Sequence, residues 1–175
     1  MPSRMSNERA VGHLVDPDEA ETINVLGPTI QFLTPPEGEH APCIMRGSIP
    51  PAGFVPMHSH ADPETFMLLS GSVEGLVYED ENFRWVRINP RDVFYVPGDA
   101  KHAWRNPGRE PAVMLVISTA RIGRFFREIG KPAVSGAPAV PPSPEDIARF
   151  LMLSDRYGYW NASPEENRRV GLPVT

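Results

Sequence analysis

The sequence predicts an all-β fold, an antiparallel sandwich or barrel with a short helical C-terminal extension, and three observations lead there. From about Gly27 to Ser118, short apolar runs alternate with turn signals, the pattern of strands and tight connections. No run in that stretch repeats every three to four residues as an amphipathic helix does. The third observation is 21 prolines in 175 residues. That is about one in eight, against an average near one in twenty, and proline suits turns and sheet edges but breaks helix interiors.

Nine strands are expected, over Thr29–Leu33, Cys43–Ile49, Phe54–His58, Thr65–Leu69, Val73–Tyr78, Arg84–Ile88, Val93–Val96, His102–Arg105 and Val113–Ile117. Pro35-Pro36, Pro50-Pro51, Ser70-Gly71, Asn89-Pro90, Pro97-Gly98 and Asn106-Pro107-Gly108 separate them. Residues 1–24 are polar and charged, and read as an N-terminal arm that lies on a surface or crosses to a partner. The barrel is assigned to 25–120 and a helical extension to 121–175. In that extension Ile122, Phe125, Phe126 and Ile129 follow the i, i+3, i+4, i+7 rule, and Gly130 stands where a C-terminal cap is wanted. After a Pro/Ala-rich linker, Ser143-Pro144-Glu145-Asp146 starts a second helix, with Ile147, Phe150 and Leu151 as its buried stripe. Ser163-Pro164-Glu165-Glu166 repeats that start signal and predicts a last short helix before Gly171.

Lys and Arg number 17 against 22 Asp and Glu, a formal charge of −5, so the clustered cationic face that nucleic acid requires is not expected. No apolar run nears the roughly 18–20 residues that span a bilayer, and the polar first twenty residues lack the apolar core of a secretory signal. A cytoplasmic protein with neither membrane nor nucleic-acid partner is expected, consistent with a single cysteine, Cys43. Cys43 itself reads as core packing.

Five histidines occur, and two stand as His58-Ser59-His60. On a strand, residues i and i+2 share a face, so both imidazoles can converge on one point. Glu64 follows beyond an Asp62-Pro63 bend, and its parity puts Phe66 and Leu68 on the same side. His102 opens a later strand and completes three imidazoles and one carboxylate, a donor set for one divalent transition metal. Fe, Mn, Ni, Cu and Zn all accept those donors. His13 and His40 lie in the arm and in a loop and are read as surface residues, and Asp62 as a turn residue.

Gly53, His58, His60, Glu64 and Gly71 follow the order of the first cupin motif, and Pro97, His102 and Asn106 that of the second, so residues 25–120 resemble the cupin superfamily. Three positions depart from the motifs: Gly53 is one residue closer to His58, Arg91 stands where the second motif opens with glycine, and Gly98-Asp99 replaces the usual order after Pro97. The resemblance implies a double-stranded β-helix, a jelly-roll barrel with one metal near its mouth, in a protein that forms a homodimer. The tail around Phe125-Phe126-Arg127-Glu128-Ile129-Gly130 resembles small single-domain cupins grouped with quercetin dioxygenases.

If His102 points inward, parity sends Trp104 inward with it, so Phe66, Leu68 and Trp104 are the expected pocket lining for an aromatic or enolic small molecule. Arg46, on an expected interior strand, either meets a substrate oxygen or faces solvent. Glu64 is the candidate general base as well as a ligand. Three activities fit these residues: a dioxygenase-type oxidoreductase, a metal-stabilised binding module without turnover, and a redox-neutral isomerase or lyase.

Overall fold

The structure, a computed structural model, describes residues 11–38, 41–79, 82–134 and 141–173. His40 and half of the linker before the second helix, residues 135–140, fall outside them. Among the described residues twelve strands and three helices follow one another: β1 (Thr22–Asn24), β2 (Thr29–Phe32), β3 (Pro42–Ile49), β4 (Phe54–Ser59), β5 (Glu64–Ser70), β6 (Val73–Glu79), β7 (Asn82–Ile88), β8 (Val93–Val96), β9 (His102–Arg105), β10 (Ala112–Thr119), α1 (Ala120–Ile129), β11 (Lys131–Pro132), α2 (Pro144–Arg156), β12 (Trp160–Asn161) and α3 (Pro164–Arg169). The nine expected strands are all present, their ends shifted by no more than two residues.

Two antiparallel sheets result, one ordered β11-β1-β2-β3-β10-β5-β8 and the other β12-β4-β9-β6-β7. The all-β jelly-roll with a short helical extension is therefore the observed fold class. Strict alternation fills its interior. Cys43, Met45 and Ile49 of β3, Phe66 and Leu68 of β5, and Met114 and Val116 of β10 all join one buried cluster with Trp104 and Val73.

Three short strands escape the sequence reading. β1 lies inside the expected arm, yet Ile23 is buried opposite Ile30 on one side and Pro132 of β11 on the other. Only the stretch before it, residues 11–19, is exposed throughout. β11 is an edge strand, where the missing N–H of Pro132 breaks no ladder.

Helices α2 and α3 start at the expected caps, and α1 buries the expected face through Ile122, Phe125 and Ile129, whereas α2 does not bury the face expected of it. Thr119 caps α1, and Ser143 and Ser163 form capping boxes with Asp146 and Glu166. Gly130 is the C-terminal cap of α1, as expected, in extended backbone at φ −73°. It is glycine for lack of room: a Cβ there would stand 2.6 Å from Ile23 Cδ1 and 2.9 Å from Phe126 O.

The expected buried stripe of α2 is corrected. Ile147 and Leu151 are 37% and 51% exposed, while Leu153 and Ser154 are buried. The helix docks by its C-terminal turn, where Leu153 packs with Phe125 and Ile129 of α1. The outer face of the smaller sheet is covered by the chain after β12. Met57, Leu76 and Ala103 pack with Leu172, the buried Asn167 amide oxygen accepts from Met57 N at 2.8 Å, and Trp85 Nε1 donates to Val170 O at 2.8 Å.

Candidate metal centre

Strand pairing assembles the donors. His58 near the end of β4 lies opposite His102 at the start of β9, His60 follows β4 directly, and Glu64 opens β5. The His58, His60 and His102 side chains each offer a ring nitrogen, and these nitrogens lie within 4.8 Å of one another. Glu64 Oε2 sits 3.2 Å from His60 Nε2 and 3.4 Å from His102 Nε2. His60, Glu64 and His102 are buried, and His58 is partly so.

Each imidazole is oriented by its other nitrogen. His58 Nδ1 meets Pro56 O at 2.8 Å, His60 Nδ1 meets Asp62 O at 2.9 Å and His102 Nδ1 meets Ala100 O at 2.9 Å. A carbonyl only accepts, so every Nδ1 carries a proton, and a ring with no second proton turns an Nε2 lone pair toward the centre. Those lone pairs face one another and a carboxylate, and the buried His102 Nε2 has no hydrogen-bond partner. Acceptors crowded in this way repel unless a cation stands among them. The donor chemistry therefore fits a divalent metal, with backbone carbonyls fixing the orientation of each ligand as metal sites do.

The electrostatics agree. Burial, with the neighbouring His102 and His60, holds His58 well below its ordinary 6.5, at about 3, so its ring is neutral. Burial would raise Glu64, but positive charge and donated hydrogen bonds from the His102 and His60 rings in their protonated form outweigh it and bring the carboxyl to about 2, so it is a cation at these nitrogens, proton or metal, that keeps it ionised.

The loop from His60 to Glu64 is tied down on both sides. The Asp62 carboxylate accepts from Thr119 Oγ1 at 2.6 Å and from Arg121 of α1, whose other arm donates to Tyr157 O. Asp62 thus links the His60 ring to the helical extension, a role beyond the turn residue expected. On the other side Asp99 N donates to His60 O at 2.7 Å, and a Cβ on Gly98 would stand 2.3 Å from Ala61 O. Asn106 locks the following turn through its amide, donating to Ile49 O at 3.0 Å and Glu110 O at 2.9 Å.

Phe66, Leu68 and Trp104 do share the interior face with the donors, but as packed core. The Phe66 and Trp104 rings are 4.4 Å apart and Phe94 closes on Trp104 at 5.1 Å, within one buried cluster. Arg46 is placed on the other face of β3, alternating with buried Met45 and Gly47. A groove of about 350 Å³ lies elsewhere, against the outward residues Thr65, Tyr95 and Ile117. Cys43 is buried, which raises its thiol pKa, and His13 is exposed. The sequence reading passed over Tyr159, whose ring packs 4.7 Å from that of His60. Its only sequence signal is the aromatic run Tyr157-Gly158-Tyr159-Trp160 next to the capped helix.

Residues 45–118 match the family described as Cupin domain. No curated protein matches the sequence. Among solved structures, Bacillus subtilis oxalate decarboxylase is 24% identical at a TM-score of 0.48, and the alignment takes 58% of this chain but 28% of that one. An RmlC-like cupin from Shewanella frigidimarina is 14% identical, with 63% of this chain and 92% of that one covered at a TM-score of 0.51. Drosophila melanogaster CENP-C is 14% identical over 60% of this chain and 84% of that one, also at 0.51. Identities this low speak to the fold alone, and the last two agree with the strand order seen here; residues 45–118 match the cupin domain family and fold as such domains do.

Proposed function

We propose that this chain is a metal-dependent oxidoreductase of the dioxygenase type, holding one divalent transition metal through His58, His60, Glu64 and His102 and acting on a small enolic or aromatic substrate. The observation that carries the reading is the donor set itself, three Nε2 lone pairs and a carboxylate facing inward with every Nδ1 proton committed to a carbonyl. A redox-active metal bound there supplies one-electron chemistry toward dioxygen and positive charge for an anionic substrate oxygen. The three imidazoles hold the ion, and the ionised Glu64 adds neutralising charge and an oxygen able to take the proton of an enol or phenol. Packed Trp104 and Phe66 form a dry floor that strengthens those interactions and limits the substrate to small size. The working unit is a homodimer in the cytoplasm. Among the described residues no helix is long and apolar enough to cross a membrane.

The same packed floor favours a second reading, a metal-stabilised module that binds a small ligand without turnover, and a redox-neutral isomerase or lyase fits the donors too. Metal analysis of protein made in metal-balanced medium, followed by oxygen uptake with flavonols, enols and diketones, separates them. We expect close to one redox-active ion per chain and oxygen consumption with at least one compound. Stoichiometric metal without uptake moves the binding module or the redox-neutral enzyme ahead, and absence of bound metal overturns the metal reading.

A further inference from the structure

The helical extension reaches the centre as well as the barrel does. β12 joins the smaller sheet beside β4, with Trp160 opposite Ser59 and Asn161 opposite His58, so backbone pairing sets Tyr159 next to the histidines. Tyr159 N donates to Ser154 O at 2.8 Å, which ties the same residue to the end of α2. Its ring stacks on Phe125 at 4.2 Å and 24°, and lies 4.7 Å from the His60 ring and 6.3 Å from that of His58.

The hydroxyl at the end of this ring is shut off from solvent and has no hydrogen-bond partner. Buried phenols almost always find one, because an unmade bond costs the whole desolvation of the group. Of the neighbouring acceptors, the Asp62 carboxylate is taken by Thr119 and Arg121. A phenol ordinarily keeps its proton at neutral pH, so the hydroxyl is available as a donor.

We propose that the Tyr159 hydroxyl donates a hydrogen bond to an anionic atom of a small ligand held at the three-histidine, one-carboxylate centre, which makes the helical extension part of the ligand site. The ligand class is a compact oxyanion or its analogue, such as an enolate or carboxylate. The inference rests on the metal reading above. It makes Tyr159 a recognition residue for whatever the centre binds, with or without turnover.

The test uses the full chain loaded with Co(II), whose visible bands report the coordination sphere, with azide as the probe anion. Tyr159→Phe keeps the ring and removes the donor. It is expected to take up cobalt as the wild type does and to melt at a similar temperature, yet to bind azide about tenfold more weakly. Equal azide affinity in the two proteins overturns the inference and leaves the metal reading intact, as does wild-type cobalt protein that binds no azide. Loss of cobalt or of the folded state in Tyr159→Phe assigns the phenol a structural role and also overturns it. A phenolate-to-metal charge-transfer band in the Cu(II) form, absent from Tyr159→Phe, would make Tyr159 a ligand and not a donor. Wild-type protein that takes up no Co(II) overturns both readings.

Discussion

Each imidazole of the centre is aimed by a carbonyl only two residues away in sequence, Pro56 for His58, Asp62 for His60 and Ala100 for His102. Orientation set at so short a range survives changes in the rest of the barrel, and the ring roles are therefore separable by substitution. Glu64→Gln should keep most of its metal, since three histidines hold a metal alone, while oxygen uptake falls about a hundred- to ten-thousandfold if Glu64 takes the proton. Metal content and uptake measured on one sample decide it, and undiminished uptake removes Glu64 from the base role. Arg91 offers a test of backbone cost. It occupies the place where the second motif has glycine and adopts φ 79°, a left-handed conformation that strains any residue with a Cβ. Arg91→Gly should stabilise the fold by about 0.5–1 kcal/mol after the greater flexibility of unfolded glycine is subtracted, read as a higher urea midpoint. An unchanged or lower midpoint counts against strain there. Both positions were visible as motif departures or donors in the sequence; that Arg91 takes the glycine's conformation was not, because backbone angles answer to the turn that closes around them.

The elements around the loop from His60 to Glu64 form a chain of supports. Arg121 of α1 pairs with Asp62, whose carbonyl orients the His60 ring. Arg121→Ala leaves the buried Asp62 carboxylate short of its cation. It should cost about 2–3 kcal/mol and weaken metal affinity about tenfold, read by chemical denaturation and by competition with a chelator. A variant as stable and as tight as the wild type would show that Thr119 suffices to hold Asp62. At the other end of the extension, Lys131 and the Ser143 cap hold the Asp146 carboxyl at about 2, below its ordinary 3.8. A carboxyl depressed on folding contributes stability above its unfolded value, and the contribution disappears as pH falls through the folded one. The start of α2 should therefore loosen between pH 3.8 and about 2, and Asp146→Asn should flatten that dependence in amide-resolved NMR. The capping boxes were legible because they are complete within four residues. The buried face of α2 was not: its apolar positions describe a stripe, but only the docking of Leu153 on Phe125 chooses which side turns inward.

At the scale of the molecule, metal that binds only the folded chain stabilises it by mass action. At a free concentration a hundred times its dissociation constant the gain is about 2.7 kcal/mol, so stripping the ion should lower the melting temperature by roughly 5–10 °C. Protein whose melting point ignores chelator and added metal alike would place any ion outside the folded core. The homodimer is tested by sedimentation, where a monodisperse monomer ends the expectation.

Composition, strand punctuation and the spacing of His58, His60, Glu64 and His102 were enough by themselves to determine the fold class and the donor set, because alternation along a strand and carbonyls two residues away are local rules. What the tertiary structure decided is everything that joins residues far apart. It decided that Phe66 and Trp104 pack on each other and that Arg46 sits on the other face of β3, since what an inward face meets depends on what the opposite strands bring. It also brought Arg121 to Asp62 and Tyr159 to the histidines, across 59 residues in the first case. Contacts across such separations leave no period in the sequence; they come into being only when β12 finds the edge of β4 and α1 folds back over the loop.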